Sequence, residues 1–102
     1  IMATITKDDV LEKLKDVYDP EIPVNVVDLG LIYDVNITEN NEVHVLMTLT
    51  APGCGMGPYI AQQAEWAITE LDKLEDVTVE LTFDPPWTPD MLTDDGRLLL
   101  GI

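Results

Sequence analysis

One sulfur nucleophile, Cys54, stands in TAPGCGMGP, residues 50 to 58, where three of the chain's six glycines and two of its seven prolines are gathered. Such a stretch can be neither helix nor strand. Glycines let backbone approach a bound species closely and take positive φ, while flanking prolines limit how far the loop wanders. The thiol is thereby presented rather than packed. It also precedes a helix start marked by Pro58, where free amide hydrogens favour an anion such as a thiolate. Nearby carboxylates oppose this, so the expectation is a mostly protonated thiol until a cation arrives. The alternative is that a lone cysteine packs as a small buried hydrophobe.

Few chemistries are open to this sulfur. A thiol hydrolase needs a base, and the single histidine, His44, lies six residues before Thr50. On an extended strand that is roughly 20 Å, at about 3.3 Å per residue. His44 therefore does not serve Cys54 within one chain. Asp84 is a weak base for a thiol, which ranks catalysis low and makes the expectation a non-enzyme. Permanent metal binding is no better supplied. Structural zinc wants four nitrogen or sulfur ligands and iron–sulfur clusters are commonly held by four thiolates. A soft thiolate beside hard carboxylates could bind iron weakly, with a dimer mate or client protein completing the coordination. Such incompleteness suits transfer better than storage.

The elements that position these groups are legible from periodicity. Thr6 caps a helix running from about Lys7 to Tyr18, with Asp9 as capping-box partner and Val10, Leu11, Leu14, Val17 and Tyr18 on one face. The prolines of DPEIPVNVVDLG, residues 19 to 30, predict an irregular or extended approach. From Leu31 to Thr38 the period drops to two, with Leu31, Tyr33, Val35 and Ile37 on one side. A turn at 39–42 leads to a second strand, in which Val43, Val45, Met47 and Leu49 alternate with His44, Leu46, Thr48 and Thr50. After the glycine loop, Ile60, Ala64, Ala67, Ile68, Leu71 and Leu74 form the buried stripe of a second helix, and Tyr59, Gln62 and Trp66 fall on another face. VTVELTFD, 77 to 84, makes a third strand with Val77, Val79, Leu81 and Phe83 inward. Thr88-Pro89-Asp90 signals a short helical turn stopped at Gly96.

This order predicts one domain over 1–102: a two-layer α/β sandwich, α-β-β-α-β, whose small mixed sheet is covered by helices on one face. A helical crossover makes the second and third strands parallel. Their C-terminal ends and the start of the first strand then share an edge. Asp19, Glu21, Asp28, Cys54, Asp84 and Trp87 are expected around one shallow site there, with Cys54, Asp19, Glu21 and Asp84 as candidate metal ligands.

Twenty acidic against five basic residues give a net charge of −15, which repels phosphate backbones and anionic membranes. Nucleic acid and membrane are thus not expected as partners; the acidic surface reads first as one that keeps a small protein soluble, with a basic partner or a cation as the sharper alternative. No apolar run approaches the ~18 residues of a membrane helix, and early acidic residues argue against a secretory signal, so the expected location is cytoplasmic. One cysteine makes no internal disulfide, although two copies in a homodimer could meet. Tyr59, Trp66 and Trp87 are candidate partner-binding residues, since exposed aromatics often dominate binding energy. The alternative for Tyr59 and Trp66 is that both rings pack under the C-terminal segment. The tail Leu98, Leu99, Leu100 and Ile102 is apolar enough to need cover from its own core or a second subunit.

DPEIPVNVVDLGLIYDV at 19 to 35, TLTAPGCGM at 48 to 56, VELTFDPPWTPDML at 79 to 92 and GRLLLGI at 96 to 102 together resemble one known family. It is the SufT-like and PaaD-like group, domain of unknown function 59, whose members include iron–sulfur cluster assembly factors. The likeness covers nearly the whole chain in order. It implies an α/β domain acting in maturation of iron–sulfur proteins, with Cys54 of the PGC motif as the characteristic functional residue. It also implies transient contact with iron or an iron–sulfur cluster, and with carrier or client proteins. The DPE motif falls on Asp19, Pro20 and Glu21, and the PPW motif on Pro85, Pro86 and Trp87. Gly55 follows the cysteine where many relatives have proline. Some members resemble accessory proteins of phenylacetate-type oxygenase systems, so an adaptor without direct metal ligation stands as the alternative. Others resemble the N-terminal part of cluster-carrying ATPases, but this chain has no GKS or GKT phosphate loop.

Overall fold

The computed structural model describes residues 5–19, 22–50 and 57–101. Helix α1 (Lys7–Leu14) opens on the expected capping box. The Asp9 amide donates to the Thr6 hydroxyl at 3.1 Å, and the Thr6 amide donates to the Asp9 carboxylate at 3.0 Å. The helix stops four residues short of Tyr18. Beyond it the chain folds back on its own next turn: the Val26 amide donates to the Val17 carbonyl, and Tyr18 bridges Asn25. In extended backbone neighbours point to opposite sides, so Val17 stays in the core while Tyr18, expected beside it, is exposed.

Strands β1 (Ile32–Ile37) and β2 (Glu42–Met47) form an antiparallel hairpin whose turn holds Asn41 at φ 62°. Helix α2 (Gly57–Ile68) crosses to β3 (Asp76–Leu81), which lies parallel to β2, giving the sheet order β1-β2-β3. Ile60, Ala64 and Ile68 of α2 are buried with Val35, Val43, Val45 and Met47 of the sheet. α2 packs on β3 and α1, and α1 reaches β1. On the other side of the sheet His44 and Glu80 pair at 3.3 Å in solvent. The α/β class and the mixed three-stranded sheet are as the alternation predicts.

Four residues depart from that pattern, and for Tyr33, Phe83 and Gly96 the reason is local. Ile32 stands opposite Met47 and Asp34 opposite Leu46, so β1 carries a bulge. The extra residue shifts parity: Ile32 joins the row of Val35, and Tyr33 leaves it, donating its hydroxyl to the Pro85 carbonyl at 2.7 Å. Phe83, expected inward, is exposed because β3 ends at Leu81 and the chain turns, the Asp84 amide donating to Thr82 Oγ1 at 3.3 Å. Thr48, expected outward, is fully buried. Gly96 is no stop signal. It lies inside α3 (Asp94–Leu100), which follows a 3-10 turn at Pro89–Met91 and ends at Gly101 with φ 74°.

Candidate functional site at the sheet edge

Parallel pairing of β2 and β3 brings their C-terminal ends together. Met47 faces Leu81 on one side and Ile32 on the other, and its carbonyl accepts the Thr82 amide at 2.9 Å. The Thr48 amide donates to the Leu31 carbonyl at 2.8 Å. From this edge the stem Thr48-Leu49-Thr50 leaves the sheet. Cys54, with the rest of 51–56, and Glu21, with Pro20, lie outside the described residues.

Asp19 and Asp84 do meet this edge. Asp19 is only 7% exposed; its Oδ1 accepts the Ile22 amide at 3.1 Å and its Oδ2 accepts the Thr50 hydroxyl at 3.5 Å. The segment that opens the DPE motif is thus tied to the stem of the cysteine segment. Asp84 is exposed, three residues past the end of β3. Two threonines of the stem belong to the site without having been picked out by motif or spacing. Thr50 is the tie to Asp19, and the Thr48 hydroxyl at the base of the stem is buried without a hydrogen-bond partner among the described residues. Their only signal in sequence is a pair of hydroxyls flanking Leu49 ahead of the glycines. Among the described residues no three His, Cys, Asp or Glu side chains gather to hold a metal ion.

Asp28 and Trp87 are engaged elsewhere. Asn25 Nδ2 donates to Asp28 Oδ2 at 2.8 Å, and the Asn25 side-chain oxygen accepts the Asp28 amide at 2.9 Å. The Thr93 hydroxyl donates to Asp28 Oδ1 at 2.8 Å while accepting the Gly96 amide, so one threonine caps α3 and joins it to the 19–30 segment. The Thr93 amide donates to the Asp28 carbonyl at 2.9 Å. The half-buried Trp87 donates its indole N–H to the Leu29 carbonyl and packs on the core. Two glycines permit this closure. At Gly30, with φ 81°, a Cβ would lie 2.1 Å from the Met91 carbonyl oxygen, and at Gly96 one would lie 2.5 Å from that of Asp28. The DLG and PPW motifs are therefore partners of each other.

The aromatic pair on α2 is open. Tyr59 is 52% and Trp66 55% exposed, which overturns the alternative that the C-terminal segment covers them. Trp66 lines a groove of about 200 Å³ with Asp16, Val17, Gln63, Ala67 and Glu70. In the tail, Leu98 and Leu99 are exposed, while Leu100 packs against the core.

The family described as iron–sulfur cluster assembly protein matches residues 7–81. A Porphyromonas gingivalis protein named Fe-S protein maturation auxiliary factor is 43% identical over 96 residues, spanning 94% of this chain and 91% of that relative. The Staphylococcus aureus Fe-S protein maturation auxiliary factor SufT is 40% identical over 86 residues, 84% of this chain and 98% of the relative. The crystal structure of a domain of unknown function, DUF59, from Bacillus anthracis superposes with a TM-score of 0.88 at 32% identity, covering 94% of this chain and 92% of that one. By sequence over most of its length and by the mixed sheet that frames the edge, the chain belongs to the iron–sulfur cluster assembly protein family.

Proposed function

We propose that the protein is a non-catalytic maturation factor for iron–sulfur proteins, in which Cys54 transiently ligates iron or a cluster as cargo and passes it to a carrier or client protein. The observation that supports this most is the tie between Asp19 and Thr50, which joins the two segments bearing the DPE and PGC motifs at one sheet edge. Asp19 acts there chiefly as a positioning group, since its oxygens already accept from Ile22 and Thr50. Asp84, open to solvent at the same edge, is free to offer a hard oxygen, and Glu21 is the further candidate ligand. One thiolate with one or two carboxylates binds iron through a mixed soft and hard set. Such a set releases its cargo once a client supplies more sulfur. Among the described residues no helix is long and apolar enough to cross a membrane. Action in the cytoplasm is part of this reading.

Anaerobic reconstitution with ferrous iron and sulfide tests it. The wild-type chain is expected to gain visible charge-transfer absorbance, and Cys54→Ser to lose most of it. Equal absorbance in the two proteins would count against ligation by Cys54.

A second reading, an adaptor or accessory protein of an oxygenase system that binds no metal itself, is favoured by the two exposed rings of α2. Complementation of a deletion strain separates the two. Rescue by Cys54→Ser together with failure of Trp66→Ala supports the adaptor, and failure of Cys54→Ser supports cargo handling.

A further inference from the structure

The outer face of α2 carries Tyr59, Gln63, Trp66 and Glu70 at spacings of four, three and four, which align along one side of the helix and its C-terminal extension. Its third member, Trp66, is half exposed and lines a groove together with Asp16, Ala67, Glu70 and the buried Val17. A groove of about 200 Å³ is smaller than the roughly 300–1,000 Å³ of a small-molecule site, but it has room for one long side chain. An aromatic face accompanied by two carboxylates calls for a flat cation. A guanidinium stacks on indole and pairs bidentately with carboxylates, which an ammonium does not.

We propose that this groove between the end of α1 and α2 receives an arginine of a partner protein, its guanidinium lying on Trp66 and pairing with Asp16 and Glu70. The partner's chain continues along α2 over Tyr59, about 10 Å further toward the helix N-terminus at 1.5 Å per residue. That direction leads to Gly57, the residue that follows the Cys54 segment, so the docked partner is brought to the edge where cargo would be exchanged. This last step rests on the proposed function; the docking itself does not. Charge favours the occupant, because a surface of net −15 steers cations toward it. A second copy of the chain is a poor occupant. Its one arginine, Arg97, already donates to the Pro89 carbonyl at 3.3 Å. Within the chain, Lys13 lies 3.5 Å from Glu70 and competes with the guanidinium for that carboxylate. That exposed pair is weak enough to yield.

The test uses two peptides, acetyl-Ala-Leu-Arg-Leu-Ala-amide and its twin with citrulline in place of arginine, titrated into 15N-labelled protein. The two indole N–H signals report separately, since Trp87 is pinned to Leu29 and Trp66 is open. The arginine peptide is expected to shift Trp66 and leave Trp87 in place, with an effect that fades as salt rises. The citrulline peptide should bind at least about tenfold more weakly. Trp66→Ala, monitored at the Gln63 and Ala67 amides, should lose binding by a similar factor, and Asp16→Asn with Glu70→Gln should flatten the salt dependence. Lys13→Ala should tighten binding about twofold by freeing Glu70. Equal binding of the two peptides, or undiminished binding to Trp66→Ala, overturns the proposal. So does a Trp66 signal that moves with protein concentration and ignores the peptide, which would assign the face to self-association. Cys54→Ser should bind the arginine peptide as wild type does, so a failure of cargo ligation and a failure of docking are read independently.

Discussion

The C-terminal closure and the sheet edge carry comparable motifs but are built in opposite ways. From Asn25 to Gly30 and from Trp87 to Gly96, polar side chains and backbone groups answer one another: Asp28 with Asn25 and Thr93, Trp87 with Leu29, Gly30 against Met91. At the edge, Asp19 and Thr50 secure the stem, Asp84 stands in solvent and the Thr48 hydroxyl is buried without a partner among the described residues. A buried polar group with every bond made serves the fold, whereas one left open costs stability and stands ready for something else. Residues of one set of motifs thus divide into those that hold the molecule and those that remain for chemistry.

Five substitutions test this contrast. The largest effect is expected from Gly30→Ala, which forces a Cβ into the Met91 carbonyl at a positive φ. A loss of about 3 kcal/mol, read by urea denaturation, would confirm that the closure is tight. Next is Asp28→Ala, which leaves the buried Asn25 amide without its carboxylate acceptor and takes from Thr93 the shorter of its two acceptors, and should cost about 2 kcal/mol. A double-mutant cycle with Thr93→Val should then show coupling of roughly 1 kcal/mol, and an additive result would deny that the pair acts as a unit.

At the edge the expected stability changes are smaller and the functional ones larger. Thr50→Val removes the tie to Asp19 and should cost about 1 kcal/mol, while lowering iron uptake in reconstitution. Unchanged uptake would show that the stem needs no such tie. Smallest is Trp66→Ala, within about 0.5 kcal/mol in denaturation because its ring is half in solvent already. A much larger loss would mean that the ring supports the fold and would move it to the other side of the comparison.

Much of this is legible in the sequence. The capping box of Thr6 and Asp9, the stripe of Ile60, Ala64 and Ile68, and the placing of Trp66 away from that stripe follow from spacing along a helix. The shared edge at the ends of β2 and β3 follows from the strand order together with the crossover rule, whereas the tie of Asp19 to Thr50 does not. Misplacements arise where spacing stops being a guide. A single bulge reverses Tyr33, an early strand end exposes Phe83, and a close approach turns Gly96 from an apparent stop into a contact.

The periodic elements, their order and the position of the one thiol between a strand and a helix can be read from the amino-acid order, because they depend on neighbours within a turn or a pleat. Which motif residues are occupied depends on long-range packing. Asp28 meets Thr93 across 65 positions and Trp87 meets Leu29 across 58. A hydrogen bond formed over such distances exists only once the core has brought both segments to the same place.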